Sequence, residues 1–207
     1  MSNNENKKDW TGSSQSAFKQ LGASNHCKDE REENDFYATD PVAIDWLLKY
    51  EKFDQFIWEP ACGQMHLSNR LKELGGHKVY STDLINRGCD GFNGCVDFLK
   101  YDGPIFQGDI ITNPPYKYCS EFIKKSLDVV EDGHKVAMFL KIQTLEGQKR
   151  YEEIFSKYPP KTIYVFVKRV ACGKNGEFSG GSAVCYAWFV WEKGWKGDTT
   201  LKWINNI

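Results

Sequence analysis

From Asp40 onward the apolar positions alternate between two rhythms. Asp40-Pro41 reads as an N-cap followed by proline at the first helical position, and Val42, Ile44, Trp46, Leu47 and Leu48 carry a helix to about Tyr50. Phe56-Ile57-Trp58 is a short apolar run of strand type. Leu67, Leu71 and Leu74 recur at helical spacing until Gly75-Gly76 stops them. Lys78 to Leu84 reads as a strand and Cys95-Val96-Asp97 as a brief one. Asp109 to Thr112 is another strand, ended by Pro114-Pro115. Phe122, Ile123, Ser126, Leu127 and Val130 form one helical face. Val136 to Leu140 then reads as a buried strand, residues 146–157 as a charged helix, and Thr162–Val167 and Ala183–Trp191 as two long strands.

Strands alternating with helices imply right-handed βαβ units, hence an α/β fold with a mostly parallel sheet covered on both faces. No helix separates the last two strands, only the glycine-rich stretch 169–182, so they are expected to pair antiparallel as a hairpin. Residues 1–34 are a different material, dominated by Asn, Ser, Lys and Glu. They are expected to be mostly disordered, with 17–34 able to order against the domain that follows, which spans 35–207.

Composition narrows the function. The chain has 207 residues, 41% hydrophobic and 27% charged, in the ordinary range of a domain that buries its own core. The net charge of −1 excludes a protein that lives by bulk electrostatic grip on nucleic acid, though not one with a local basic patch. No apolar run reaches the ~18 residues of a membrane span, and the polar N-terminus is not of secretory type. The 7 cysteines include no C-x-x-C pair and read as reduced, small hydrophobes. The 4 histidines have no partner at ligand spacing, so no metal site is expected. The 7 Trp, 10 Tyr and 13 Phe supply core, and also flat faces for a ring-shaped substrate.

Open α/β sheets bind ligands outside the carboxyl ends of their strands, where strand order reverses. Three strand ends carry suitable residues. Glu59-Pro60-Ala61-Cys62-Gly63 leads from strand to helix through small residues that let a ligand approach the backbone. Asp83 lies twenty residues after Gly63, placed to accept both hydroxyls of a ribose. Asn113-Pro114-Pro115-Tyr116 is the sharpest signal. Its two prolines remove two N–H donors. The Asn113 side-chain oxygen and the Pro114 carbonyl are then able to hold the two hydrogens of an amino group, with Tyr116 as a face for the ring that bears it.

This set, with Asp97-Phe98 and in this order and spacing, resembles the S-adenosylmethionine-dependent DNA adenine-N6 methyltransferases, and among them the small phage- and prophage-encoded members. Asp35-Phe36-Tyr37-Ala38-Thr39-Asp40-Pro41 resembles the N-terminal motif of that family, which covers the methionine end of the cofactor. The resemblance spans about residues 17 to 203, including the closing Ala187-Trp188-Phe189-Val190-Trp191-Glu192. It implies a Rossmann-like class I methyltransferase sheet and S-adenosylmethionine as cofactor. Tyr37, Thr39 and Glu59 through Gly63 would line the methionine moiety. Asp83 and Leu84 would take the ribose end, Asp97 and Phe98 would bracket the cofactor adenine, and Asn113 would stand beside the reacting methyl. Asn113, Pro114, Pro115 and Tyr116 would be catalytic.

The activated methyl needs no metal, only an amino nitrogen held in line with it. The target base must leave the duplex stack, and Tyr116 would stack on it. Lys117, Lys141, Arg150 and Lys174 are the candidate phosphate contacts. The expected partner is DNA, single- or double-stranded, with no membrane or metal, for a monomer or weak homodimer in the cytoplasm of a bacterial or phage-infected cell. Two departures stand out. Met65 occupies a place where the family often has a second glycine and is expected to narrow the methionine pocket. No separate target-recognition domain fits, so short or relaxed sequence specificity is expected. RNA adenine and protein glutamine acceptors remain alternatives, as does a catalytically silent protein that binds cofactor or DNA.

Overall fold

A computed structural model describes residues 38–173 and 184–205. Residues 1–37 and Lys174 lie outside the described residues, and with them the expectations for the N-terminal segment, for Tyr37 and for Lys174. Eight strands form one sheet: β2 (Phe56–Glu59), β3 (Lys78–Asp83), β4 (Gly94–Cys95), β5 (Asp109–Thr112), β6 (Lys135–Lys141), β7 (Thr162–Phe166), β9 (Tyr186–Glu192) and β10 (Thr200–Ile204). Their spatial order is β10-β7-β9-β6-β5-β2-β3-β4, and β9 runs antiparallel to both its neighbours. A separate two-stranded clip pairs β1 (Ala38–Thr39) antiparallel with β8 (Cys172–Gly173). The mostly parallel α/β sheet is as expected. β9 does pair antiparallel with β7, but it inserts between β6 and β7 rather than extending the edge.

Period-two alternation divides the core. In β9, Tyr186, Trp188 and Val190 face one side, and Ala187, Phe189 and Trp191 face the other. Helix α1 (Val42–Tyr50) and helix α2 (His66–Gly75) cover the first side with Ile44, Leu47, Leu67 and Leu71. Helix α3 (Cys119–Val129) covers the second with Phe122, Ile123 and Leu127. Each of three buried indoles finds an acceptor: Trp58 on Thr82 Oγ1 at 2.8 Å, Trp188 on the Ala43 carbonyl at 2.9 Å, and Trp191 on the Tyr158 carbonyl at 2.9 Å.

The charged helix expected over 146–157 is not regular. A short α-turn, α4 (Gln148–Arg150), runs into a π-turn (Tyr151–Phe155) closed by Ser156 N–H on the Tyr151 carbonyl at 2.9 Å. The cause is local: Gly147 sits at φ 121°, and Ile154 is the one residue of these two turns that is buried. β9 begins at Tyr186, with Val184 and Cys185 outside the strand and Ala183 outside the described residues. The cysteines are mixed: Cys62 and Cys119 are buried, whereas Cys95 is exposed. None of the described helices is long and apolar enough to cross a membrane.

Candidate active site

Strand order reverses between β2 and β5: the chain moves outward from β2 to β3 and β4, then returns to β5 on the other side. The carboxyl ends of these strands carry Glu59, Asp83 and Asn113, so the topology gathers all three expected clusters at one end of the sheet.

The turn after β2 is built by hydrogen bonds to the neighbouring strand. Cys62 N–H donates to the Thr82 carbonyl at 2.9 Å, and Gly63 N–H to Asp83 Oδ2 at 2.8 Å. Gly63 and Met65 both take left-handed backbone, at φ 53° and 65°. Position 65 thus holds a backbone conformation that glycine adopts at no steric cost. The Met65 side chain is fully buried, and its methyl group approaches Gly91.

Beneath the turn, Glu59 is 2% exposed and accepts from the Ser68 hydroxyl, which also meets Ser81 Oγ at 2.6 Å. Burial pushes the Glu59 carboxyl up to about 8 against these hydrogen bonds, and the Asp83 charge adds to the rise. Burial likewise raises the Cys62 thiol, and Glu59 and Asp83 raise it further, which leaves it an inert packing group.

Asp83 has more to hold than sequence spacing implied. Besides Gly63, it accepts from Ile85 N–H at 3.1 Å and from Arg87 Nη1 at 2.9 Å, both on Oδ1. Leu84 beside it is 60% exposed, an apolar side chain at the carboxyl end of β3. Asp97 pairs with Lys100 at 2.9 Å, which holds its carboxyl below the usual range. Phe98 is 2% exposed, edge-on to Trp58 at 5.1 Å and against Phe122 at 5.2 Å, so its ring packs into the core directly after Asp97.

After β5, Pro114 is buried and Asn113 and Pro115 are half-buried. Asn113 Nδ2 donates to Thr39 Oγ1 at 2.8 Å. Thr39 thus meets Asn113 directly, a contact no local pattern signalled. Tyr116 lies near-parallel to Tyr186 at 5.9 Å, and Tyr186 stacks on Phe139 at 4.9 Å. Lys141 Nζ stands 5.0 Å from the Tyr116 ring centroid. Lys117 is exposed and lies over Tyr118 at 5.2 Å. Arg150 Nε donates to the Glu146 carbonyl at 3.0 Å, and its charge and hydrogen bonding oppose the burial that raises Cys119. The Asn113–Tyr116 segment, Lys117, Lys141 and Arg150 therefore share one neighbourhood. Among the described residues, no cluster of three His, Cys, Asp or Glu side chains is able to hold a metal ion.

The sequence matches no protein-family model and no curated protein. The fold, by contrast, is shared. A protein of Listeria monocytogenes described as a class I S-adenosylmethionine-dependent methyltransferase is similar over 90% of this chain and 70% of its own, at 14% identity and a TM-score of 0.60. One of Agrobacterium tumefaciens, described as an O-methyltransferase, is similar over 74% of this chain and 81% of its own, at 14% identity and a TM-score of 0.53. The M protein of the type I restriction enzyme EcoKI is similar over 80% of this chain and 45% of its own, at 16% identity and a TM-score of 0.52. The fold is that of the Rossmann-like methyltransferases.

Proposed function

We propose that the protein is an S-adenosylmethionine-dependent methyltransferase that acts on the exocyclic N6 amino group of adenine in DNA. The observation that carries this reading is the position of Asn113-Pro114-Pro115-Tyr116, at the carboxyl end of β5 beside the switch point, next to the turn made by Gly63 and Asp83. The donor set fits the cofactor. Beside its bonds to Gly63, Ile85 and Arg87, Asp83 keeps an acceptor position for a ribose hydroxyl, exposed Leu84 is an apolar surface for the nucleoside, and the Cys62–Met65 turn presents backbone at the start of α2.

When bound, S-adenosylmethionine supplies a methyl group already activated by its sulfonium. The chain's own residues then have three tasks. Asn113 Oδ1 and the Pro114 carbonyl accept the two amino hydrogens, which favours the pyramidal nitrogen and disperses its developing positive charge. Tyr116, backed by Tyr186 and Phe139, stacks on the base that bears the amine and offsets part of the few kcal/mol lost on unstacking. Lys117, Lys141 and Arg150 neutralise nearby phosphates. The EcoKI M protein is a methyltransferase component of a restriction enzyme, which agrees with a DNA acceptor.

Calorimetric titration with S-adenosylmethionine, followed by tritiated-methyl transfer to DNA, RNA and protein in parallel, tests the reading. The expected result is cofactor binding and label recovered from DNA as N6-methyladenine. Label confined to RNA or to protein glutamine overturns the DNA assignment. Binding without transfer to any acceptor makes the protein a silent binder.

A further inference from the structure

We propose that Thr39 is a positioning residue for Asn113. Its hydroxyl holds the Nδ2 end of the carboxamide, so that the Oδ1 end is the one presented to an acceptor amine. The catalytic consequence rests on the proposed function, but the contact itself does not.

A carboxamide has two unlike ends: Nδ2 only donates and Oδ1 only accepts. An amine being methylated presents N–H groups, so only the Oδ1 end is able to receive them. Turned end for end, Asn113 would oppose donors with donors. The torsion that turns it is soft, with no deep well at either orientation. The backbone at the end of β5 therefore does not decide the matter, and a neighbour must. Thr39 is one such neighbour: its Oγ1 accepts from Asn113 Nδ2 at 2.8 Å.

Thr39 is suited to the task because its own position is fixed from both sides. Its strand β1 pairs antiparallel with β8, with Thr39 opposite Cys172, and Asp40 N–H donates to the Ala171 carbonyl at 3.2 Å. Immediately afterwards, Asp40 Oδ1 accepts Val42 N–H at 3.0 Å and opens α1. The residue is 2% exposed, and a β-branched side chain is stiff at χ1, so the hydroxyl has little freedom to wander. This ties Thr39 to the acceptor side of the reaction, beyond the role at the methionine end of the cofactor that its motif implies.

A threonine hydroxyl also donates, and a reversed carboxamide would accept from it, so the test reads the Nδ2 protons directly. In the ¹⁵N-labelled full chain, the Asn113 side-chain amide is identified by its loss in Asn113→Ala. Its protons are expected to exchange slowly in the wild type and in Thr39→Ser, and quickly in Thr39→Val, whose melting temperature serves as the control for folding. Equal exchange in the wild type and Thr39→Val overturns the inference whether or not the protein methylates anything. In the methyl-transfer assay, Thr39→Val is expected to lower kcat by about 10²-fold, the scale of a misplaced reacting group. Thr39→Ser restores the rate. An unchanged kcat in Thr39→Val, beside an inactive Asn113→Ala, overturns the inference and leaves the proposed function standing. A wild type that transfers no methyl overturns that function, and the exchange measurement alone then decides the contact.

Discussion

Glu59 is a carboxylate in an environment that disfavours its charge. Burial raises it from 4.5 to about 8 in the folded chain. The folded chain therefore keeps a proton that the unfolded chain releases, and stability falls as pH rises from about 4.5 to about 8, then levels. Glu59→Gln keeps the shape without the ionisation. Urea unfolding between pH 5 and pH 8.5 should show the variant gaining on the wild type as pH rises; parallel profiles would place the proton elsewhere. Asn113 and Asp83 separate by what they touch. Asn113→Ala should lower transfer by ~10²-fold, about 3 kcal/mol, with cofactor binding nearly intact. Retention of more than half the activity would remove Asn113 from the reaction. Asp83→Ala should weaken S-adenosylmethionine by roughly 1.5–3 kcal/mol, the scale of charge-assisted hydrogen bonds. It should also lower the melting temperature, because Gly63 N–H and Arg87 lose their acceptor together. Unchanged calorimetric affinity would put the ribose on another residue.

At the scale of elements, α2 starts through a left-handed Met65, a conformation that costs a residue with Cβ on the order of 1 kcal/mol. The fully buried side chain offsets that cost. Met65→Gly frees the backbone and deletes the packing, and truncations of buried Met cost about 2–5 kcal/mol. A scanning-calorimetry trace should therefore show a lower melting temperature; a more stable variant would mean that backbone strain dominates. The same comparison of local and distant forces explains what the sequence revealed. α1, α2 and β5 were legible because each carries its own periodicity and stop signal: Asp40-Pro41, Gly75-Gly76 and Pro114-Pro115. β1 and β8 are two residues each, too short for any period. Four of the five β10 residues are exposed, and Trp203 is 64% exposed, so that edge strand lacks the buried alternation a reader looks for. The strand-end residues of the site were legible because topology alone gathers them. Thr39 with Asn113, 74 residues apart, and Ser68 with Ser81 were not, because tertiary hydrogen bonds leave no local signature.

The whole molecule sets how tightly such a site is able to grip nucleic acid. Net charge is −1, so affinity for nucleic acid would rest on the few cations at the carboxyl end of the sheet: Lys117 after β5, Lys141 at the end of β6, Arg150 at the end of α4 and Lys168 after β7. Neutralising three to five phosphates on a single strand gives a log–log salt slope of only about −2 to −4. Within 38–173 and 184–205 the elements are committed to one sheet, its covering helices and a two-stranded clip, and none forms a separate recognition body. Each good bidentate base contact adds only ~1–3 kcal/mol of discrimination, so few contacts mean a short or degenerate target. The few kcal/mol lost on flipping a base out of a duplex then weigh heavily against that weak grip, and an adenine already unstacked avoids the loss. Single-stranded DNA should be at least as good a substrate as duplex DNA, with methylation spread over many short contexts. Single-molecule sequencing of DNA from cells that express the protein measures this directly. Methylation confined to one motif of about five or more fixed bases would require more discrimination than these side chains supply. It would move base recognition to a second copy of the chain or to residues 1–37 and 174–183.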